Sequence, residues 1–262
     1  MTKKETPISH SLELSQDDFK LYRSLKQKKY RDHYRLFLVE GYRLLQEMQQ
    51  TKWPVQTLLY EKNEENLAKN FPWSTTLLKK GGVSLLSEVP SPQALIGIAE
   101  FDVPSPPQWS QWKKIVLLEN ISDPGNLGTI FRSAAAFGIE AIFLGSHCTD
   151  PFHPKCLRAS MGGLFKVPFY TQQDYTQLFP LLTDQEFHLL GTSPHAPKAL
   201  ESFHFLPKTA LLLSNEAHGS QLTTLVSNWL SITLPGLESL NVAQAATIFF
   251  YRWNLDIPTP HF

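Results

Sequence analysis

The sequence predicts an α/β protein with two parts: a larger C-terminal domain on a mostly parallel sheet flanked by helices, and a smaller N-terminal α/β domain. Three observations lead there. From residue 113 onward, short strand-like runs alternate with helical patterns. Those runs are continuously apolar, as strands buried on both faces are. Between the parts lies VPSPPQWSQW, residues 103–112, whose prolines and polar residues read as a linker.

In chain order, residues 1–15 are polar and read as loose. Residues 17–50 read as helical, with Leu21, Leu25, Phe37, Leu38, Leu44, Leu45 and Met48 facing inward and a bend at Gly41. Strands are predicted over 55–60 and 94–99, with a short helix over 61–69 between them. Beyond the linker, strands are predicted over 115–119, 141–144, 166–170, 188–192, 210–215 and 231–234. Helices are predicted over 127–137, 155–161, 175–182 and 242–253. Ligands of such sheets sit outside the carboxyl ends of the strands. That directs attention to the loops beginning near Glu119, Thr192, Asn215 and Leu234.

Bulk composition narrows the class. With 42% hydrophobic and 18% charged residues the chain has the makings of an ordinary core, and no apolar run approaches a membrane span. Lys3 and Lys4 are followed by polar residues, so no secretory signal is expected. Two cysteines are too few for a disulfide framework and favour a reducing cytoplasm. Lys plus Arg and Asp plus Glu number 24 each, which argues against a strongly basic nucleic-acid binder as a whole. The distribution is uneven, however. Within residues 20–35 stand Arg23, Lys26, Lys28, Lys29, Arg31 and Arg35, interleaved with Tyr22, Tyr30 and Tyr34. Such a stretch suits phosphate contact and base stacking, or equally a solvated helix face.

Three polar clusters follow apolar strands. In LLENISDPGNLGTIFRSAAAFG, a Pro124-Gly125 turn and Asn126 lead into a helix with Arg132 two turns in. It lacks the G-x-G-x-x-G spacing of a dinucleotide fingerprint, and no phosphate loop of the Walker type occurs in the chain. Asn126 also suits a helix cap. In ALLLSNEAHG, a buried strand runs into Asn215 and Glu216, and an acid there is costly without a partner or a task. In ITLPGLESLNVAQAA, Ser239 and Asn241 stand where a small-residue helix begins, a place for a cap or for a site. His147, Cys148, His153 and Cys156 match no common zinc spacing, and no metal is expected.

These blocks, in this order, together with HPKCLRASMGGLFKVP, resemble the SpoU/TrmH family of S-adenosylmethionine-dependent RNA 2′-O-ribose methyltransferases of the SPOUT superfamily. The front, LKQKKYRDHYRLFLVEGYRLLQEM, is similar to the RNA substrate-binding domain of rRNA-directed members. The resemblance implies a trefoil-knotted catalytic domain over 113–262, an RNA-binding domain over 1–102, and a homodimer. It implies catalytic roles for Arg132, Asn126, Glu216, Ser239 and Asn241. It implies that Thr192, Ser214, Asn215, Gly219, Ile232, Leu234 and Leu240 surround S-adenosylmethionine. The basic residues of the front domain, Arg23, Lys26, Lys28, Lys29, Arg31 and Arg35, would hold RNA, with rRNA favoured over tRNA. Two departures stand out: Ser214 replaces a usual glycine, and Thr233 replaces the proline of an I-P-M-x-G pattern whose following segment is one residue short. A catalytically silent RNA-binding factor and a tRNA-directed enzyme remain alternatives.

Overall fold

The computed structural model describes residues 13–89, 91–92, 95–101, 105–214, 226 and 228–258. The chain divides into two compact units, 1–103 and 104–262.

The first unit carries α1 (Gln16–Ser24), α2 (Lys28–Tyr34), β1 (Leu36–Glu40), α3 (Tyr42–Thr51), β2 (Val55–Glu61), α4 (Glu65–Ala68), β3 (Thr75–Leu78), α5 (Gly82–Leu86) and β4 (Leu95–Glu100). Its sheet runs β1-β4-β2-β3, antiparallel except for the β2–β3 pair. Phe37, Val39, Leu45, Met48, Leu58, Leu59 and Ile98 form its buried interior.

The single helical reading of 17–50 is corrected here. Arg35 adopts a left-handed conformation that ends α2, and Gly41, at φ 109°, precedes α3. The five residues between them pair with β4 from Leu36↔Glu100 to Glu40↔Ile96. Phe37 and Leu38 therefore belong to a strand. The partner lies about sixty positions along the chain, so no local pattern announces it.

The second unit is a seven-stranded sheet in the order β7-β6-β5-β10-β8-β11-β9, and every registered pair is parallel. Its elements are β5 (Lys114–Glu119), α6 (Pro124–Ala136), β6 (Ala141–Gly145), α7 (Pro154–Ser160), β7 (Phe169–Gln173), α8 (Tyr175–Asp184), β8 (His188–Thr192), β9 (Lys198–Ala199), β10 (Thr209–Ser214), β11 (Asn228–Ser231) and α9 (Val242–Asp256). The chain builds β5, β6 and β7 toward one edge and then crosses to the other side, where β10 slots between β5 and β8. Strand order thus reverses beside β5, which places a crevice at the carboxyl ends of the central strands.

Residues 105–112 are packed onto this unit. The ring of Trp109 stacks on Phe143 at 5.4 Å, Trp112 is buried in the same cluster, and Tyr170 donates its hydroxyl to the Ser105 carbonyl at 2.6 Å. Two strand positions also differ from expectation. The turn at Gly163–Phe165 and Pro168, which has no N–H to donate, delay β7 to Phe169. The last long strand is Asn228–Ser231 rather than 231–234: Trp229 packs over Gly191 and Leu230 is buried, so the chain leaves the sheet before Pro235. Among the described residues, no helix is long and apolar enough to cross a membrane.

Candidate active site

Helix α6 carries the first cluster. Asp123, not Asn126, is its N-cap: the Asp123 carboxylate accepts the Asn126 N–H at 2.9 Å and an ion pair from Lys155 at 2.6 Å, with Pro124 opening the helix. The Lys155 ammonium, then the Asn126 N–H, hold the Asp123 carboxyl below the ordinary carboxylate range. Asn126 is therefore the third helical residue, and its side chain is available for something else. A Cβ on Gly128 would lie 2.3 Å from the Cys156 carbonyl oxygen, and one on Gly163 would lie 2.7 Å from that of Phe131. The two glycines let α7 and the Gly163–Phe165 turn press against the α6 backbone.

Helix α9 begins at the third cluster. Asn241 is its N-cap, accepting the Ala243 N–H at 2.9 Å on Oδ1. Its Nδ2 donates to Asn126 Oδ1 at 3.1 Å. One turn and more along, Ser133 and Thr247 hydroxyls meet at 2.7 Å. Ala243 and Ala246 on α9 are buried. Of the two expectations for Asn241, the cap is present: the residue caps with its oxygen and reaches Asn126 with its nitrogen.

Beside this junction lies a cavity of about 460 Å³, within the roughly 300–1,000 Å³ range of small-molecule sites. Thr192, Ser214, Ile232, Leu234, Ser239 and Leu240 line it, drawn from the ends of β8, β10 and β11 and from the approach to α9. Thr192 is tied down by its hydroxyl, which donates to the Leu212 carbonyl at 3.2 Å. Sequence reasoning missed Pro194, His195, Trp229 and Phe249, which also line the cavity. One signal was available for Trp229. A glycine inside a strand marks a close approach, and a Cβ on Gly191 would meet the Trp229 ring at 2.6 Å.

The predicted residues do not all converge. Arg132 is exposed on α6 and is not among the residues lining the cavity; Asn126 and Asn241 stand together beside it. Asn215, Glu216 and Gly219 lie outside the described residues.

In the first unit, Arg31 is corrected from a candidate RNA contact to an internal strut. It is 3% exposed, and its guanidinium donates to the Leu25 and Lys26 carbonyls at 2.8 and 2.9 Å. Those two carbonyls follow the end of α1, and a cation there also suits the helix dipole. Lys26 is half-buried and donates to the Ser87 carbonyl, Lys28 pairs with Asp32, Arg35 stacks over Phe101 and Lys29 over Tyr30. Arg23, Lys28, Lys29 and Arg35 are exposed, with Tyr34 beside Tyr30 and His33.

Cys148 donates its thiol to the Leu118 carbonyl and burial pushes its pKa up to about 11; His153 caps α7 through Nδ1. Among the described residues no three metal-ligating side chains gather.

Residues 113–251 match the SpoU rRNA Methylase family, and residues 17–97 match the MRM3-like substrate binding domain. The chain is 27% identical to the 23S rRNA (guanosine(2553)-2′-O)-methyltransferase of Bacillus subtilis, over 88% of this chain and 93% of that one. It is 38% identical to an uncharacterized tRNA/rRNA methyltransferase of Synechocystis, where the match spans 52% of this chain and about half, 51%, of the relative. The solved structure of the SpoU methyltransferase AviRb from Streptomyces viridochromogenes, in complex with AdoMet, superposes with a TM-score of 0.82 at 27% identity, covering 91% of this chain and 97% of that one. An AdoMet-bound rRNA methyltransferase from Sinorhizobium meliloti gives 0.80 at 25% identity, covering 95% and 99%.

Proposed function

Because the chain belongs to the SpoU rRNA methylase family, we propose that it transfers a methyl group from S-adenosylmethionine to a ribose 2′-OH of RNA, with rRNA the favoured substrate. The observation that carries this is the cavity at the carboxyl ends of β8, β10 and β11, lined by Thr192, Ser214, Ile232, Leu234, Ser239 and Leu240, beside the paired Asn126 and Asn241. Its walls fit the donor. Apolar Leu213, Trp229, Leu230, Ile232, Leu234 and Leu240 offer a bed for a flat adenine, while Thr192, Ser214 and Ser239 supply polar groups. Asn215 and Gly219 belong to the same donor-holding set, and Glu216 to the catalytic one, by resemblance.

When bound, S-adenosylmethionine supplies an electrophilic sulfonium methyl. The chain's task is to bring a ribose 2′-OH into line with it, and alignment of this kind accounts for a large part of such an acceleration. Arg132, exposed and free to meet a polyanion, orients the hydroxyl and its neighbouring phosphate; a guanidinium is too weak a base to remove the proton fully. Ser239 and the Asn126–Asn241 pair fix the nucleotide.

The division of labour follows the two family matches: residues 1–102 hold RNA and 113–262 perform the chemistry, joined by 103–112. Exposed Arg23, Lys28, Lys29 and Arg35, with Lys26 and the Tyr30–Tyr34 ring pair, suit an RNA backbone and unpaired bases. The same reading carries a trefoil knot, a homodimer and a cytoplasmic location. The exposed apolar stripe of Ile248, Tyr251 and Leu255 on α9 supports a second copy of the chain.

The test is incubation with labelled S-adenosylmethionine and bulk RNA from a strain lacking the protein, followed by mapping of alkali-resistant linkages. Label in ribose of rRNA is expected. Label confined to bases, or to tRNA, would overturn the corresponding part of the reading.

A further inference from the structure

Between β11 and α9 the chain from Ile232 to Leu240 carries no helix or strand. No backbone ladder therefore sets where Ile232 and Leu234 stand, yet both line the cavity. The residue between them, Thr233, is exposed and does not line it. Thr233 is held at two points by one group: its backbone N–H donates to Glu201 Oε1 and its hydroxyl to Glu201 Oε2, each at 3.1 Å. Glu201 lies on the Leu200–Ser202 turn directly after β9, whose strand pairs with β11. Leu200 is buried, so the turn that presents the carboxylate is itself anchored.

We propose that Glu201 is a positioning residue for the methyl-donor pocket, a two-pronged carboxylate clamp that sets the wall carrying Ile232 and Leu234. The inference rests on the reading of the cavity as the donor site. Two donors from one residue to the two oxygens of one carboxylate fix both distance and orientation, and ionisation strengthens both bonds. The carboxyl is held below the ordinary range by its own backbone N–H and then by the N–H and hydroxyl of Thr233, so it is ionised at neutral pH. The clamp also accounts for the departure at Thr233. A proline there would fix φ but offer no N–H; threonine gives up the ring and gains two bonds to Glu201. Because both residues are exposed, the clamp contributes little to global stability. Its effect belongs to the geometry of the pocket.

Calorimetric titration of S-adenosylmethionine into the full chain tests this, using wild type, Glu201→Ala, Thr233→Val and the double variant. Loss of the clamp is expected to raise the donor Kd about five- to tenfold in Glu201→Ala and about two- to threefold in Thr233→Val, on the scale of one or two net hydrogen bonds. The double variant should bind no more weakly than Glu201→Ala alone, because the two residues act as one unit. The thermal midpoint should stay near that of wild type, and methylation assays should show a raised donor KM with kcat kept at saturating donor. Wild-type affinity in Glu201→Ala, or additive losses in the double variant, would overturn the clamp. Failure of the wild type to bind donor would instead overturn the pocket reading on which the clamp depends.

Discussion

The side-chain amide of Asn241 donates to the side-chain oxygen of Asn126 across 3.1 Å, joining residues 115 positions apart in the chain. It links the N-terminal turns of α6 and α9, so two loops that follow different strands meet at one polar contact. Asn241→Ala removes both the α9 cap and this contact, and should cost about 1 kcal/mol of stability. Asn241→Asp keeps the cap but replaces the amide donor with a charged acceptor oxygen facing Asn126. Thermal melts should therefore separate the two variants while methylation falls in both. Wild-type turnover in Asn241→Asp would remove the pair from the catalytic machinery.

Arg132→Ala should leave the fold intact, since the side chain is exposed on α6. Methylation is expected to fall by about two orders of magnitude or more, the range for a group that acts on the reacting centre, while calorimetry shows donor affinity unchanged. Near-normal turnover would end the assignment.

Gly128→Ala tests the close approach of α6 and α7. The added methyl would stand 2.3 Å from the Cys156 carbonyl oxygen, a backbone atom that cannot swing away. A loss of about 1–3 kcal/mol, the usual cost of overpacking, should appear in denaturant unfolding. No change in midpoint would show that the two helices are free to part.

The Asp123 carboxylate predicts an acid-sensitive start to α6. Its folded-state pKa is lowered by the Lys155 ammonium first and the Asn126 N–H next. The contribution is thus fully present above the unfolded value of about 3.9 and is lost as pH falls through the lowered folded value. Asp123→Asn keeps a cap but cannot titrate, so its unfolding profile should be flatter than wild type below about pH 4. Parallel acid profiles for the two proteins would contradict the role.

In the first unit, Arg31 and its exposed neighbours should behave oppositely. Arg31→Ala leaves the Leu25 and Lys26 carbonyls without their donor, and it should lower the thermal midpoint. Arg23→Glu and Lys29→Glu should leave the midpoint in place and weaken RNA binding with a shallower salt dependence. RNA affinity unchanged in the latter pair would move the RNA surface elsewhere.

Local pattern was enough for much of this protein. The continuous apolar runs at Ile115–Leu118 and Ala210–Leu213 announced buried parallel strands, because a strand covered on both faces needs no polar alternation. The order of the three polar clusters pointed to the family, and Thr192, Ser214, Ile232, Leu234, Ser239 and Leu240 do line one cavity. What stayed hidden depends on partners that no hydrophobic period or motif names. Leu36–Glu40 reads as helix until β4 arrives to pair with it. Arg31 reads as a surface cation until its guanidinium is seen bonded to two carbonyls.

The sequence by itself determined the α/β class, the parallel sheet, the family, and a minority of the residues around the cavity, since hydrophobic period and motif order are properties of neighbours. Only the tertiary structure decided that Asp123 rather than Asn126 caps α6, that Asn241 both caps α9 and holds Asn126, and that Glu201 grips Thr233. The two caps are local bonds, while the Asn126–Asn241 and Thr233–Glu201 bonds depend on how helices and turns meet. Side-chain amides and carboxylates at loop–helix junctions read alike in sequence until packing assigns them a partner.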